Sequence, residues 1–206
     1  MQTTNDRNPW DRIFRTNREI FSQAHPLVRR FAERVAKPSS RMLDVGCGTG
    51  RHLQLFADLG CEVSGLDSSP AALERSHTSA PSAVLIEADL FAAFPFATGE
   101  FAIAVACQSI HHGLSAQVDG VLAEIARVLE PGGWLYLSVP TLRNQGMRFE
   151  RVEPSTFVPL DGPEQGLPHH FFDESDLPDR LRAFGLQVRT LQRDETQHLC
   201  LELQRA

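Results

Sequence analysis

Met42-Leu-Asp-Val-Gly-Cys-Gly-Thr-Gly50 decides the fold. A short apolar strand (residues 42–45) runs directly into a loop with glycine at every second position. Residues 51–59 then carry a helical pattern, stopped by Gly60, the residue type a helix C-cap favours. Strand, glycine loop and helix in that order are the context in which a glycine motif has a mechanism. Glycines admit φ > 0 and let a ligand touch the backbone, and the helix N-terminus offers unbonded N–H groups.

The same alternation continues downstream. Residues 61–66 form a second strand ending at Asp67, and Ser69-Pro70 reads as an N-cap followed by proline at the first helical position. Residues 83–86 and 101–106 are two more strands. Val118, Val121, Leu122, Ile125 and Leu129 share one helix face, Pro131-Gly-Gly133 breaks that helix, and residues 134–139 are a fifth strand. Short apolar strands alternating with amphipathic helices predict an α/β, Rossmann-like doubly wound sheet with helices on both faces. Residues 173–184 predict a helix stopped by Gly185, and residues 186–191 and 198–203 an antiparallel hairpin, giving seven strands with the last antiparallel.

Upstream, residues 10–24 and 27–35 have helical spacing of apolar positions around Pro26, so residues 1–40 form a helical lead-in that lids the domain spanning 41–206. Residues 140–172 interrupt the rhythm with five prolines and three glycines, an insertion in loop form. Its apolar side chains, Phe157, Val158, Leu160, Leu167, Phe171 and Phe172, need burial. Because it follows the fifth strand, it is expected over the carboxyl edge of the sheet.

Composition excludes several classes. Of 206 residues, 42% are hydrophobic and 22% charged, an ordinary globular balance. No run approaches the roughly 20 apolar residues of a membrane span, and the N-terminus lacks a secretory pattern. Net charge is −6; residues 1–41 carry nine basic and four acidic side chains, the remainder eleven arginines against twenty-two acids. That balance argues against a nucleic-acid partner. Cys47, Cys61, Cys107 and Cys200 show no paired spacing, which predicts reduced thiols and a cytoplasmic location. No metal is expected: adjacent histidines on a strand or helix point apart, so His111-His112 and His169-His170 each supply at most one ligand to a site.

The cofactor reading rests on charge and spacing. Dinucleotide binders use G-x-G-x-x-G with a pyrophosphate at the helix end. Here the spacing is G-x-G-x-G, and Asp44 stands two residues before Gly46. A carboxylate repels a pyrophosphate and attracts an ammonium or sulfonium, so a cationic cofactor is favoured and an NAD-dependent reductase disfavoured. Asp67, 21 residues after Gly46, sits where a carboxylate accepts from ribose hydroxyls, and Asp89 ends the third strand.

Residues 43–50 (LDVGCGTG), 63–69 (VSGLDSS), 87–90 (EADL) and 124–140 (EIARVLEPGGWLYLSVP) together resemble the ordered motifs of class I S-adenosylmethionine-dependent methyltransferases, the type 11-like group acting on small molecules. The resemblance covers roughly residues 41–205. It implies S-adenosyl-L-methionine as cofactor, with Asp44, Gly46, Cys47, Gly48 and Gly50 on its methionine moiety, Asp67 and Ser68 at the ribose, Asp89 and Leu90 at the adenine, and Gln108 and Ser109 at the amino-acid end and methyl. The Asn/Asp-Pro-Pro-aromatic tetrad of DNA and protein amide methylases is absent; Gln108-Ser-Ile-His111 stands there instead. A small-molecule acceptor, methylated on O, N or S by a monomer or homodimer, follows as the expectation, with a non-catalytic S-adenosylmethionine-binding protein as the alternative. His111 and His112, after the fourth strand, and His169 and His170, in the insertion, are the candidate catalytic groups, because imidazole titrates near neutrality.

Overall fold

A computed structural model describes residues 9–16, 22–142 and 148–206. Its centre is a seven-stranded sheet of β1 (Arg41–Val45), β2 (Glu62–Asp67), β3 (Val84–Glu87), β4 (Phe101–Cys107), β5 (Leu129–Val139), β9 (Leu186–Arg193) and β10 (Leu199–Arg205), in the order β3-β2-β1-β4-β5-β10-β9. The pairings from β3 to β5 are parallel, while β10 runs antiparallel to both β5 and β9. The expected seven-stranded sheet with an antiparallel final strand is therefore the observed one.

Side chains alternate across the sheet, as period two requires. Met42, Val63, Ile103, Val105 and Tyr136 pack beneath α2 (Pro26–Val35) and α3 (Arg51–Asp58). Leu43, Val45, Ala104, Leu135 and Leu137 pack on the other face with α5 (Ser115–Val128) and α6 (Leu177–Ala183). Both strand faces are apolar because helices cover both. Between β2 and β3, α4 (Pro70–Ser79) starts as its residues dictate: Ser69 Oγ accepts from the Ala72 N–H, and Pro70 opens the helix.

Three boundaries differ from the sequence reading. β5 starts at Leu129, directly after α5 ends, and Pro131-Gly-Gly133 becomes an irregularity in the β4–β5 register rather than a break before the strand. α6 covers only Leu177–Ala183, since residues 173–176 form a turn in which Asp173 Oδ1 accepts from the Ser175 N–H. The first helix, α1 (Pro9–Thr16), ends before the described residues resume at Ser22, where the chain is irregular; the expected continuation through Phe21 lies outside the described residues.

The insertion is a small antiparallel sheet of β6 (Phe149–Glu153), β7 (Thr156–Pro159) and β8 (His169–His170), ordered β6-β7-β8. Its strands are two to five residues long, too short for a period-two pattern to stand out among the prolines and glycines. It lies over the carboxyl edge of the main sheet, as expected. The His170 N–H donates to His111 O at 2.8 Å and the Phe172 N–H to Pro140 O at 2.9 Å. Phe171 and Phe172 are buried, whereas Leu160 stays exposed.

Candidate active site

Strand order reverses between β1 and β4, and open parallel sheets bind ligands at such a point, outside the carboxyl ends of the strands. A cleft partly open to solvent sits there. Its lining contains Gly46, Cys47, Gly48, Asp67, Ser68, Leu90, Gln108, Ser109 and His112 of the expected residues. Asp44, Gly50 and Asp89 are outside the lining. Asp89 Oδ1 accepts from the Phe91 N–H at 2.9 Å, the work of a turn residue.

Two glycines have separate physical reasons. Gly46 has φ +73°, and a Cβ there would fall 2.5 Å from Ser109 Cβ, so the end of β4 can approach β1 only past a glycine. Ser109 Oγ uses that approach to donate to Val45 O at 2.6 Å. Gly48 has φ +53°, and a Cβ there would meet the Phe14 ring of α1 at 3.3 Å.

Asp67 ties the loop together. Its Oδ2 accepts from the Gly48 N–H at 2.8 Å and its Oδ1 from the Ser69 N–H at 2.9 Å. Burial raises its pKa, the Asp44 charge adding in the same direction against those two bonds. Each carboxylate oxygen retains a lone pair for a ligand hydroxyl. Asp44 is 1% exposed and its Oδ2 has no hydrogen-bond partner among the described residues, with His52 Nδ1 standing 3.7 Å away. A buried acceptor of this kind fits a cationic ligand group and opposes a pyrophosphate.

α1 closes one side of the cleft with Trp10 and Phe14. It docks through Asp11, 2% exposed, whose Oδ1 accepts from Ser69 Oγ at 3.0 Å and the Ala71 N–H at 2.9 Å, while Arg15 binds Oδ2 at 2.7 Å. A carboxylate there also complements the positive end of α4. Burial works against the Asp11 anion, but the Ala71, Arg15 and Ser69 bonds outweigh it and its pKa is lowered. α2, in contrast, contributes Val28, Phe31 and Ala32 to the sheet core and none of its residues line this cleft. Of the two lead-in helices, α1 lines this cleft and α2 does not.

Thr49, Arg51, His52 and Cys107 line the cleft without having been singled out as binding groups. Thr49 lies within the glycine loop and Arg51 and His52 follow it directly, so the register of the loop–helix junction was the available signal. The Cys107 thiol is pushed up to about 12 by burial, which keeps it neutral.

The histidine doublets behave differently. His169 and His170 lie on β8 and point apart, as strand geometry demands. His170 Nε2 accepts from Arg180 at 2.7 Å, its Nδ1 stands 2.9 Å from Thr156 Oγ1, and burial with the Arg180 charge lowers its pKa to about 4. His170 therefore belongs to a structural chain joining the insertion to α6. His111 and His112 do not diverge. They sit in a turn whose first residue, Gln108, has φ +57°, and their ring centroids are 3.8 Å apart. His169 joins them, 4.8 Å from His112 and 5.9 Å from His111 between centroids. The expectation of at most one histidine per doublet at a site fails here because the turn is neither strand nor helix. Trp10 packs edge-on against His112 at 4.6 Å, linking lid, cleft and histidines. Burial, with the neighbouring imidazoles, holds His111 and His112 below the usual histidine range.

Comparison with known proteins decides the family: residues 16–191 match the model of the methyltransferase domain. The chain belongs to that family. S-adenosylmethionine is the cofactor the family brings to this cleft. A probable tRNA methyltransferase 9B of Homo sapiens is 29% identical over 175 residues, covering 83% of this chain and 36% of that protein. A ubiquinone biosynthesis O-methyltransferase of Thiobacillus denitrificans is 32% identical over 124 residues, covering 56% and 51%. The chain thus spans from about a third to half the length of these curated relatives. In fold, a SAM-dependent methyltransferase of Methanosarcina mazei superposes with a TM-score of 0.73 at 20% identity, covering 89% of this chain and 98% of that one.

Proposed function

We propose that this methyltransferase moves a methyl group from S-adenosylmethionine to an oxygen, nitrogen or sulfur atom of a small molecule held between the donor cleft and the histidines. One observation carries the reading: His112 lines the donor cleft and also stands in the cluster with His111 and His169, so donor and acceptor regions share a wall. S-adenosylmethionine, when bound, supplies an electrophilic methyl carbon on a sulfonium leaving group. The protein's part is alignment and exclusion of water. Asp44 favours the cationic end of the donor and Asp67 the ribose. Trp10 and Phe14 cover the cleft, and Gln108 and Ser109 shape the end facing the methyl.

His112 is the group an acceptor would meet. Its Nδ1 stands 3.1 Å from Ser109 O, a carbonyl that can only accept, so Nδ1 carries the proton and Nε2 the lone pair. That lone pair orients the acceptor's O–H or N–H. His111 and His169 support it from behind, and His170 acts on the acceptor wall only through the insertion's structure.

A small molecule is favoured over a nucleic acid because residues 42–206 carry twice as many acids as arginines, while phosphate backbones need clustered cations. The alternative is a non-catalytic binder of the same cofactor. The four buried free cysteines support a reducing, cytoplasmic setting, and no helix among the described residues is long and apolar enough to cross a membrane. The test is incubation with methyl-labelled S-adenosylmethionine and, separately, a metabolite extract and total tRNA. Label in a low-molecular-weight product supports the proposal. Label in tRNA overturns the acceptor class, and no S-adenosylhomocysteine with either substrate favours the non-catalytic binder.

A further inference from the structure

The histidines have a feature that acceptor binding does not require. His112 and His169 each direct Nδ1 at a backbone carbonyl, Ser109 O at 3.1 Å and Leu167 O at 2.9 Å. Both Nδ1 atoms must therefore carry protons, which leaves Nε2 as the nitrogen with a lone pair in each neutral ring. This is the arrangement that fixes tautomer and ring orientation in metal-ligating histidines. His169 Nε2 faces Glu164 Oε2 at 2.9 Å. Two acceptors at that distance need a cation between or beside them: a proton or a metal ion. His111, 5% exposed, keeps Nδ1 buried without a hydrogen-bond partner among the described residues. One ring nitrogen from each of the three histidines lies within 4.8 Å of the other two.

We propose that His111, His112 and His169, with the Glu164 carboxylate, form a binding site for a divalent transition-metal ion, zinc foremost, where the insertion meets the turn after β4. Three imidazoles and a carboxylate suit a borderline ion such as zinc better than magnesium or calcium, which prefer all-oxygen sets. Zinc–nitrogen bonds of about 2.0–2.1 Å put tetrahedral ligand atoms roughly 3.4 Å apart. Ligand nitrogens now up to 4.8 Å apart therefore draw together by up to roughly 1.4 Å on binding. The ion would pin β8 to the main sheet. If the acceptor region is where we place it, the ion would also offer a Lewis acid beside the His112 wall; that last clause rests on the proposed function, and the site itself does not.

A second group, His25, Asp194 and Cys200, also has ligand atoms close together. There His25 Nε2 is already 3.2 Å from Asp194 Oδ2, and His25 Nδ1 accepts from the Leu27 N–H at the start of α2, so that histidine is engaged at both nitrogens. The experiment separates the two groups. Chelator-treated protein is titrated with cobalt(II) and, in parallel, zinc content is measured by mass spectrometry after dialysis. The expected result is one ion per chain, tetrahedral d–d bands without thiolate charge transfer, and loss of at least ~100-fold in affinity in H112Q/H169Q. C200S should bind as the parent does. Circular dichroism and thermal unfolding of each variant establish that the fold persists. Absence of stoichiometric ion, unchanged binding in a folded H112Q/H169Q, or a thiolate band lost in C200S would overturn the proposal. Methyl transfer by metal-free protein would leave the proposed function standing and remove only the Lewis-acid role.

Discussion

The donor half of the site and the acceptor half are built by different rules. On the donor side, β1, β2 and β4 end together at the switch point, and the groups assigned to the cofactor sit on strand ends or the loops that follow them, with Trp10 and Phe14 added from α1. Position there is dictated by sheet geometry, with the backbone supplying much of the binding surface. On the acceptor side, a strained turn at Gln108 and a three-stranded insertion bring side chains together from residues 111–112 and 164–170. Nothing periodic relates those segments. The contrast teaches that a parallel sheet encodes its cofactor locally, whereas the specificity layer over it depends on tertiary contacts between irregular segments. It also predicts that damage to each half stays separable, which variants can break or sharpen.

The largest effect belongs to the glycine loop. In Gly48→Val a β-branched side chain must adopt φ +53° and meet the Phe14 ring at 3.3 Å, so both loop and lid are displaced. Affinity for S-adenosylhomocysteine should fall by more than ~100-fold with the sheet intact, read by calorimetry and circular dichroism. Next is Asp67→Ala. It removes the acceptor for two loop N–H groups and for the ribose, and should weaken cofactor binding by about 2–4 kcal/mol. A folded Asp67→Ala protein with parental affinity would reduce Asp67 to a cap and undo the donor half of the comparison.

That division also explains what the sequence revealed. LDVGCGTG and Asp67 were legible because strand, loop and helix succeed one another within a few residues, so local chemistry and fold coincide. Seven strands and the antiparallel β10 followed from runs of apolar residues. Asp89 is less legible, since an acid at a strand end serves equally as a turn residue, and its Oδ1 accepts from the Phe91 N–H. The insertion strands were invisible as strands because two to five residues carry no period. The meeting of His111 and His112 could not be inferred either, because the argument for divergence assumes regular backbone and Gln108 breaks it. Asp11 as the anchor of α1 was likewise hidden, 58 residues away from the Ser69 hydroxyl it binds.

The lid gives an intermediate effect. Asp11→Ala removes acceptors for Ser69 Oγ and the Ala71 N–H at the start of α4 and should cost about 1–2 kcal/mol, comparable to loss of a helix cap. Cofactor affinity should drop roughly 5–30-fold as Trp10 and Phe14 lose their positions, by the same free energy. The pH dependence has a definite sign. Because the folded-state pKa of Asp11 is lowered, its contribution is complete above the ordinary aspartate value of 3.8 and is lost as pH falls through the folded value. Cofactor affinity measured from pH 6 downward should hold to near pH 4 and then decline. Asp11→Asn should abolish that part of the decline, and an identical acid limb in the variant would show that α1 does not depend on the carboxylate.

The smallest effect expected on the donor side comes from His170, and it is the sharpest test of separability. Arg180 donates to His170 Nε2, so the neutral ring carries its proton on Nδ1 and donates to Thr156 Oγ1, which in turn lies 3.3 Å from Glu153 Oε2. Arg180 also binds Asp119 of α5 at 2.8 Å. The chain of bonds thus runs from the main domain through α6 into β7 and β6, and His170 is its buried middle link, 3% exposed. His170→Leu keeps much of the volume but leaves Arg180 and Thr156 with unmatched groups, so the insertion should lose about 1–3 kcal/mol of local stability. Hydrogen exchange of the β6–β8 amides should accelerate accordingly. None of this touches the cleft: His170 is absent from its lining, and Gly46, Asp67 and the lid are held by bonds of their own. Affinity for S-adenosylhomocysteine in His170→Leu should therefore stay within about twofold of the parent, under 0.5 kcal/mol. A larger loss, with the global melting temperature preserved, would mean that the insertion helps to hold the donor, and that the two halves form one cooperative site.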